Sequence, residues 1–289
     1  MAPAPLKCAP ASDAGDPGAL VPNFDFPAYG ALLEDMTAIG IAAAEAIRNA
    51  HAEKDVRLKA DGSLVTGVDE VAEAVVRDGL ARLRLPLPIV SEEQADREEA
   101  SIAAPSFILV DPLDGTREFI AGRDEYTVNI GLVANGAPIV GVIVAPALGT
   151  LWRGIVGRGA ERLEFIAGRT SAPEPIWTRP RTDADILVMV SRSHLDARTE
   201  TYLKRWPGAR REVCGSALKF CRVAEGAADL YPRLGPTHDW DVAAGHAIIA
   251  AAGGSVIAPG GSPLVYGSAG LKIPAFVAWG DPTDAPSEP

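Results

Sequence analysis

The sequence predicts a mixed α/β protein built as two packed halves, and three observations carry that expectation. An Ala-rich helical pattern begins at residue 29, a β-rich stretch centred on Asn135-Gly136 follows, and strand and helix patterns alternate beyond residue 182. A single doubly wound sheet alternates from its start, so two α/β halves packed together fit better. The 289 residues are about twice a common domain length and are enough to bury sizeable cores.

Taken in order, residues 29–52 place Leu32, Leu33, Met36, Ile39, Ala43 and Ile47 at helical spacing, and residues 69–83 do the same with Val71, Val75, Val76, Leu80 and Leu83. Between them, 59–66 is a polar, turn-rich connection. Ile89-Val90 and residues 107–110 read as short buried strands, each stopping at acids. Residues 127–134 and 137–145 flank Asn135-Gly136, the strongest short hairpin signal, and 150–156 adds a strand. The Pro/Arg/Thr-rich run 171–182 is the best boundary, dividing an N-terminal half, 28–182, from a C-terminal half, 183–289. Beyond it come a strand at 185–190, helices at 197–205 and 216–225, a strand at 229–233, a helix at 241–252, and strands at 255–258 and 275–278.

Composition bounds the partners. A formal charge of −11 excludes a nucleic acid polymer, because no basic stripe is available to neutralise backbone phosphates. It does not exclude a small anion, since bound divalent cations reverse the local sign. No apolar run reaches the length of a membrane span. Residues 1–27, rich in Pro, Ala, Gly and Asp, lack the apolar region of a secretory signal and read as a disordered extension. Cys8, Cys214 and Cys221 match neither a zinc spacing nor a disulfide framework. A reducing cytoplasm is the simplest setting. Peripheral contact with the inner membrane is left open, as is oligomeric state.

The chemistry concentrates at Asp111-Pro112-Leu113-Asp114-Gly115-Thr116, directly after an apolar strand. Pro112 fixes φ and Asp114-Gly115 turns the chain. Two carboxylates three residues apart, with the Leu113 carbonyl between them, are able to face one centre of the all-oxygen kind that hard divalent ions take. Taken alone the motif reads first as a plain Asx turn with solvated acids. Asp69 at the start of a helix, Glu92-Glu93 at the end of a strand and Asp241 at the start of another helix shift the balance. Acids at several strand ends and helix starts are what a multi-metal site assembled from loops requires, although N-capping alone explains Asp241.

Together these segments resemble the inositol monophosphatase superfamily. Residues 111–116 look like its DPxDGT motif, Ser91-Glu92-Glu93 its GEE element, Val65–Asp69 its VTxxD element, and residues 240–245 its WDxAAG element, in the family's order over roughly 29–280. Ser91 stands where the wider family has glycine, and Arg117 where lysine is common. The resemblance implies a layered αβαβα sandwich of the sugar-phosphatase type. Glu92, Asp111 and the Leu113 carbonyl would hold one Mg²⁺; Asp111, Asp114 and Asp241 would hold a second; Glu92 would help with a weaker third. Asp69 and Thr116 would orient and deprotonate the attacking water.

The second half resembles the 3'(2'),5'-bisphosphate nucleotidase branch of the CysQ type, through Val190-Ser191-Arg192-Ser193-His194, residues 215–220 and residues 230–234. That branch removes the 3'-phosphate of adenosine 3',5'-bisphosphate, a by-product of sulfate assimilation, and lithium sensitivity is expected of it. Ser216, Lys219 and Arg233 would contact the 5'-phosphate and His194 the nucleotide. Gly115, Thr116 and Asp241 would border the phosphate that is removed. Ser216 and Lys219, one helical turn apart, would share a face. Read singly, Lys219 and Arg233 are each better explained as solvated surface charges. An inositol monophosphatase is the alternative enzyme, and a non-catalytic nucleotide sensor on the same scaffold is the alternative of another class.

Overall fold

The computed structural model describes residues 26–50, 56–58, 64–94, 104–180 and 185–285. The extension expected at residues 1–27 lies outside them up to residue 25, as does most of the connection expected at 59–66. Helix α1 (Phe26–Ala50) buries Leu32, Leu33, Met36, Ile39, Ala43 and Ile47, the residues its spacing picks out. Strands β1 (Val56–Leu58) and β2 (Leu64–Thr66) pair antiparallel, and Thr66 caps α2 (Gly67–Arg82). This helix starts two residues before the position expected. Its core stripe is Val68, Ala72, Val76 and Leu80, which leaves Val71 41% exposed rather than buried.

The larger sheet contains β3 (Ile89–Ser91), β4 (Ser106–Asp114), β5 (Thr127–Ala134), β6 (Ala137–Ala145), β7 (Thr150–Ile155), β8 (Gly159–Ile166), β9 (Arg169–Thr170) and β10 (Glu174–Ile176). Its order is β10-β8-β7-β6-β5-β4-β3, with β9 alongside β8 and only the β3–β4 pair parallel. Strands β5 and β6 begin and end where the apolar runs do. Asn135 (φ 49°) and Gly136 (φ 78°) both take the left-handed conformation a two-residue hairpin turn demands. Strand β4 runs on to Asp114 rather than stopping at Val110. A register shift against β5 between Asp111 and Asp114 bends its end, so the acidic motif sits on a bulged strand end, with Gly115 and helix α3 (Thr116–Ile120) directly after it.

The smaller sheet is built from β11 (Leu187–Ser191), β12 (Arg210–Cys214) and β13 (Leu230–Arg233). Strands β14 (Thr237–His238) and β16 (Lys272–Ile273) form a separate pair, while β15 (Ser255–Ile257) and β17 (Phe276–Trp279) complete the sheet in the order β12-β11-β13-β17-β15. Helices α4 (Ala197–Leu203), α5 (Leu218–Ala224) and α6 (Asp239–Ala251) connect these strands.

Three cores define the layers. Helices α1 and α2 cover one face of the large sheet through Ile108, Val110, Val128, Ile130, Val140 and Val142. Helices α5 and α6 fill the space between the sheets, against Phe107, Leu109 and Ile143 on one side and Met189, Tyr231, Phe276 and Ala278 on the other. Tyr202 and Leu203 of α4 close the outer face of the small sheet over Val188, Val190 and Val277. The result is the αβαβα sandwich. Helix α6 is apolar nearly all round because it is enclosed on both faces. It rests directly on the sheet where Gly131 and Gly141 pair across β5 and β6. A Cβ on Gly131 would meet the Ala244 amide at 3.0 Å, and one on Gly141 would run into the Ala244 backbone.

Candidate active site

Each acidic side chain is positioned by a local rule of helix or strand. Thr66 accepts from the Val68 amide (3.1 Å), and Asp69 answers as the third helical residue. Its Oδ2 accepts from the Thr66 amide (2.7 Å) and the Thr66 hydroxyl (2.6 Å). This reciprocal capping box fixes the carboxyl. The other oxygen, Oδ1, accepts from the Thr116 hydroxyl (3.0 Å), which also lies 3.2 Å from the Leu113 carbonyl. Burial pushes the Asp69 carboxyl above the ordinary carboxylate range, against the lowering effect of these hydrogen bonds.

Asp241 occupies the same place on α6. It is not the N-cap, as helix-start reasoning expects, because the helix begins two residues earlier, after His238. Its Oδ2 instead accepts from the His238 amide (3.1 Å) and the Thr237 hydroxyl. Glu92 opens the turn after β3. The serine in place of glycine ahead of it is accommodated because its buried hydroxyl donates to Glu73 of α2. Asp111 is buried and its Oδ1 accepts from the Leu113 amide (3.1 Å), which folds the bulge back on itself. Asp114 Oδ2 accepts from Asn129 Nδ2 (3.3 Å). Its carboxyl is pushed up to about 6, first by burial and then by the negative charge of Asp241, with Lys219 and Arg233 opposing.

Glu92, Asp111, Leu113, Asp114, Gly115, Thr116 and Asp241 line one cleft of about 370 Å³ between the two sheets; His194, Ser216, Lys219 and Arg233 line it too. Asp69 stands behind this wall and reaches the cleft through Thr116. Lys219 is buried, with its ammonium 5.1 Å from the centre of the Tyr231 ring; it donates to the carbonyls of Cys214 (3.3 Å) and Ser216. Arg233 keeps Nε buried with no hydrogen-bond partner, while a terminal nitrogen reaches the Pro236 carbonyl (3.5 Å). Lys219 is therefore no solvated surface charge, and Arg233 is half-buried at the cleft wall. The His194 ring is held below the ordinary histidine value by its packed surroundings and by the charges of Arg233 and Arg117.

One detail differs from expectation. Ser216 does not share a helical face with Lys219: α5 begins at Leu218, and Ser216 sits in the turn before it at φ 48°. The two meet because the lysine reaches back over the turn. Sequence reasoning also missed Thr237, which orients Asp241, and Lys272, which lines the cleft from a two-residue strand with no apolar signal. Thr237 was findable in principle, as a hydroxyl four residues before a helix-start acid.

Among the described residues, no three His, Cys, Asp or Glu side chains form a ready-made metal cage. The donor set nevertheless fits Mg²⁺. That ion is held by one or two carboxylates each, with water and substrate oxygens completing the shell, and the carboxylates here share a cleft with a backbone carbonyl. The crowding of Asp114 by Asp241 is a repulsion that a cation relieves.

An αβαβα sandwich with hard oxygen donors at a strand bulge, a turn and a helix start, facing Lys219 and Arg233 across one cleft, defines the sugar-phosphatase class of fold. Residues 31–282 match the model of the inositol monophosphatase family. The chain is 43% identical over 212 residues to "3'(2'),5'-bisphosphate nucleotidase CysQ" of Escherichia coli K12, covering 73% of this chain and 83% of that protein. It superposes on the crystal structure of CysQ from Bacteroides thetaiotaomicron with a TM-score of 0.76 at 33% identity, over 86% of this chain and 97% of that one. An inositol monophosphatase from Anabaena superposes with a TM-score of 0.69 at 26% identity, over 88% and 92%. The chain belongs to the inositol monophosphatase family.

Proposed function

We propose that this chain is a Mg²⁺-dependent 3'(2'),5'-bisphosphate nucleotidase that hydrolyses the 3'-phosphate of adenosine 3',5'-bisphosphate to give AMP and phosphate. The observation that carries this reading is the second wall of the cleft. Buried Lys219, Arg233 and Ser216 line the cleft together with the carboxylate wall, and Arg233 Nε is a buried donor with no acceptor, which a substrate with one phosphate leaves unmatched. A buried donor without an acceptor is costly, and a second phosphate supplies the acceptor. The likeness to CysQ proteins supports the same choice.

Glu92, Asp111, the Leu113 carbonyl, Asp114 and Asp241 would hold two to three Mg²⁺ ions. Bound magnesium supplies charge neutralisation at the phosphoryl oxygens and a more acidic water. The chain's own part begins at Thr116. Its hydroxyl donates to Asp69, so its oxygen lone pairs are left to accept a proton from the attacking water. As the new P–O bond forms and the P–O3' bond breaks, the Thr116 hydroxyl proton shifts to Asp69 and is replaced by the water's, while the departing O3' takes a proton from solvent water to leave as the 3'-hydroxyl of AMP. Burial of Asp69 raises its basicity toward the working pH, which favours that transfer. Gly115, Thr116 and Asp241 border the reacting phosphate, and His194 flanks the nucleoside. In this reading residues 28–182 carry most metal ligands, while 183–289 add Asp241 and the cationic wall. Among the described residues no helix is long and apolar enough to cross a membrane, and we place the enzyme in the cytoplasm.

Product identity tests the reading. Phosphorus NMR of a digest of adenosine 3',5'-bisphosphate should show loss of the 3' signal with Mg²⁺ and no turnover in chelator. Loss of the 5' signal instead would reverse the assignment of the two walls.

A further inference from the structure

Two carboxylates unused by this chemistry follow the acidic motif and reach across to the small sheet. Glu125 accepts from the Gly215 amide (2.7 Å), from Arg192 Nε (2.8 Å) and from an Arg192 terminal nitrogen (2.6 Å). The arginine contact is bidentate, so it fixes direction as well as distance. Arg192 is anchored in turn, its amide donating to the Cys214 carbonyl (3.1 Å) and its side chain to the Val213 carbonyl (3.2 Å). Buried Glu118 accepts from the Ser193 hydroxyl (2.6 Å) and packs so tightly on Gly215 that a Cβ there would lie 2.7 Å from Glu118 Cγ.

All of these contacts converge on the turn formed by Cys214, Gly215 and Ser216. Ser216 holds a left-handed backbone, which for a residue other than glycine costs on the order of 1–3 kcal/mol and persists only where the surroundings over-determine it. Glu125 and Glu118 grip the turn from one side, and Lys219 draws in its carbonyls from the other. The motif touches the same patch. A Cβ on Gly115 would come within 2.8 Å of the Glu125 carbonyl and 3.3 Å of Ser216 Cβ. The Arg192 guanidinium holds the Glu125 carboxyl below the usual range, in keeping with a permanently ionised clamp.

We infer that Glu125 is a positioning residue: through the Gly215 amide and Arg192 it sets Ser216 and Lys219 at the distance from the acidic motif at which both phosphates of one substrate are reached. Glu125 does not line the cleft, so it acts through the turn and not on the substrate. The inference rests on the reading of this turn as the second-phosphate site.

The test is Glu125→Gln in the full chain, which keeps an acceptor for Gly215 and loses the bidentate pair. Initial rates with Mg²⁺ are measured on adenosine 3',5'-bisphosphate and on adenosine 3'-monophosphate, which differ only in the 5'-phosphate. The bisphosphate should lose roughly 10- to 100-fold in kcat/KM, mainly through KM, and the monophosphate less than about threefold. Arg192→Lys keeps the charge without the fork and should show the same split, smaller; it decides the matter should Glu125→Gln not fold. Equal losses on both substrates, or none on either, overturn the inference. Wild-type enzyme with no preference for the bisphosphate defeats the second-phosphate reading itself. Preference unchanged in both variants defeats only the role of Glu125.

Discussion

The Thr116 hydroxyl lies 3.0 Å from Asp69 Oδ1 and thereby joins two segments 47 residues apart, the first turn of α2 and the residue after the β4 bulge. Asp69 spends its second oxygen on the capping box of its own helix, so its free geometry is used up before substrate arrives. Asp69→Asn should therefore lower kcat by about 10²–10⁴-fold with KM little changed, as expected for loss of a general base. Thr116→Ser should keep most of the rate and Thr116→Val should not. Phosphate-release kinetics check all three.

The base works deprotonated, so kcat/KM should fall as pH drops through a value above the ordinary carboxylate range. A rate profile whose acid limb sits at or below the ordinary Asp value would remove Asp69 from the base role.

Asp114 sets activity against stability. Burial and the charge of Asp241 push its carboxyl up to about 6, above the ordinary aspartate value. A raised folded pKa means the stabilising, protonated form is fully present below the unfolded value and lost as pH rises through about 6. In chelator at pH 8, Asp114→Asn should thus stabilise the fold by up to about 3 kcal/mol while abolishing turnover with Mg²⁺. Urea melts at pH 5 and pH 8 check the sign: the gain should shrink at the lower pH.

Lys219→Ala should cost bisphosphate substrates roughly 10- to 150-fold in kcat/KM and spare simple monoesters. Equal losses on both would move Lys219 out of the second-phosphate site.

Packing makes an independent prediction. Gly141→Ala drives a methyl into the Ala244 backbone, where α6 has no room to retreat between two sheets. A loss of about 1–3 kcal/mol is expected, read as a lower urea midpoint.

What was legible in the sequence follows from where the information lies. Strands β5 and β6 were readable to the residue because both are buried on both faces and joined by a turn that only residues tolerant of positive φ can make. Strand β8 was not, since Glu161, Arg162 and Glu164 interrupt its apolar pattern, nor was β12, a charged edge carrying Arg210, Arg211 and Glu212. The carboxylate wall was legible as a motif. The bulge that carries it arises in the pairing of β4 with β5, and the turn that holds Ser216 at positive φ is gripped by Glu118 and Glu125 from the other half of the chain, which no local pattern encodes.

The central claim is that this cleft recognises two phosphates on one substrate. Competition between adenosine 3',5'-bisphosphate and inositol 1-phosphate, read as the ratio of their kcat/KM values with saturating Mg²⁺, tests it most directly. The account predicts a ratio above about 10 in favour of the bisphosphate, one charge-assisted contact or more. A ratio below one would contradict it and make the chain an inositol monophosphatase.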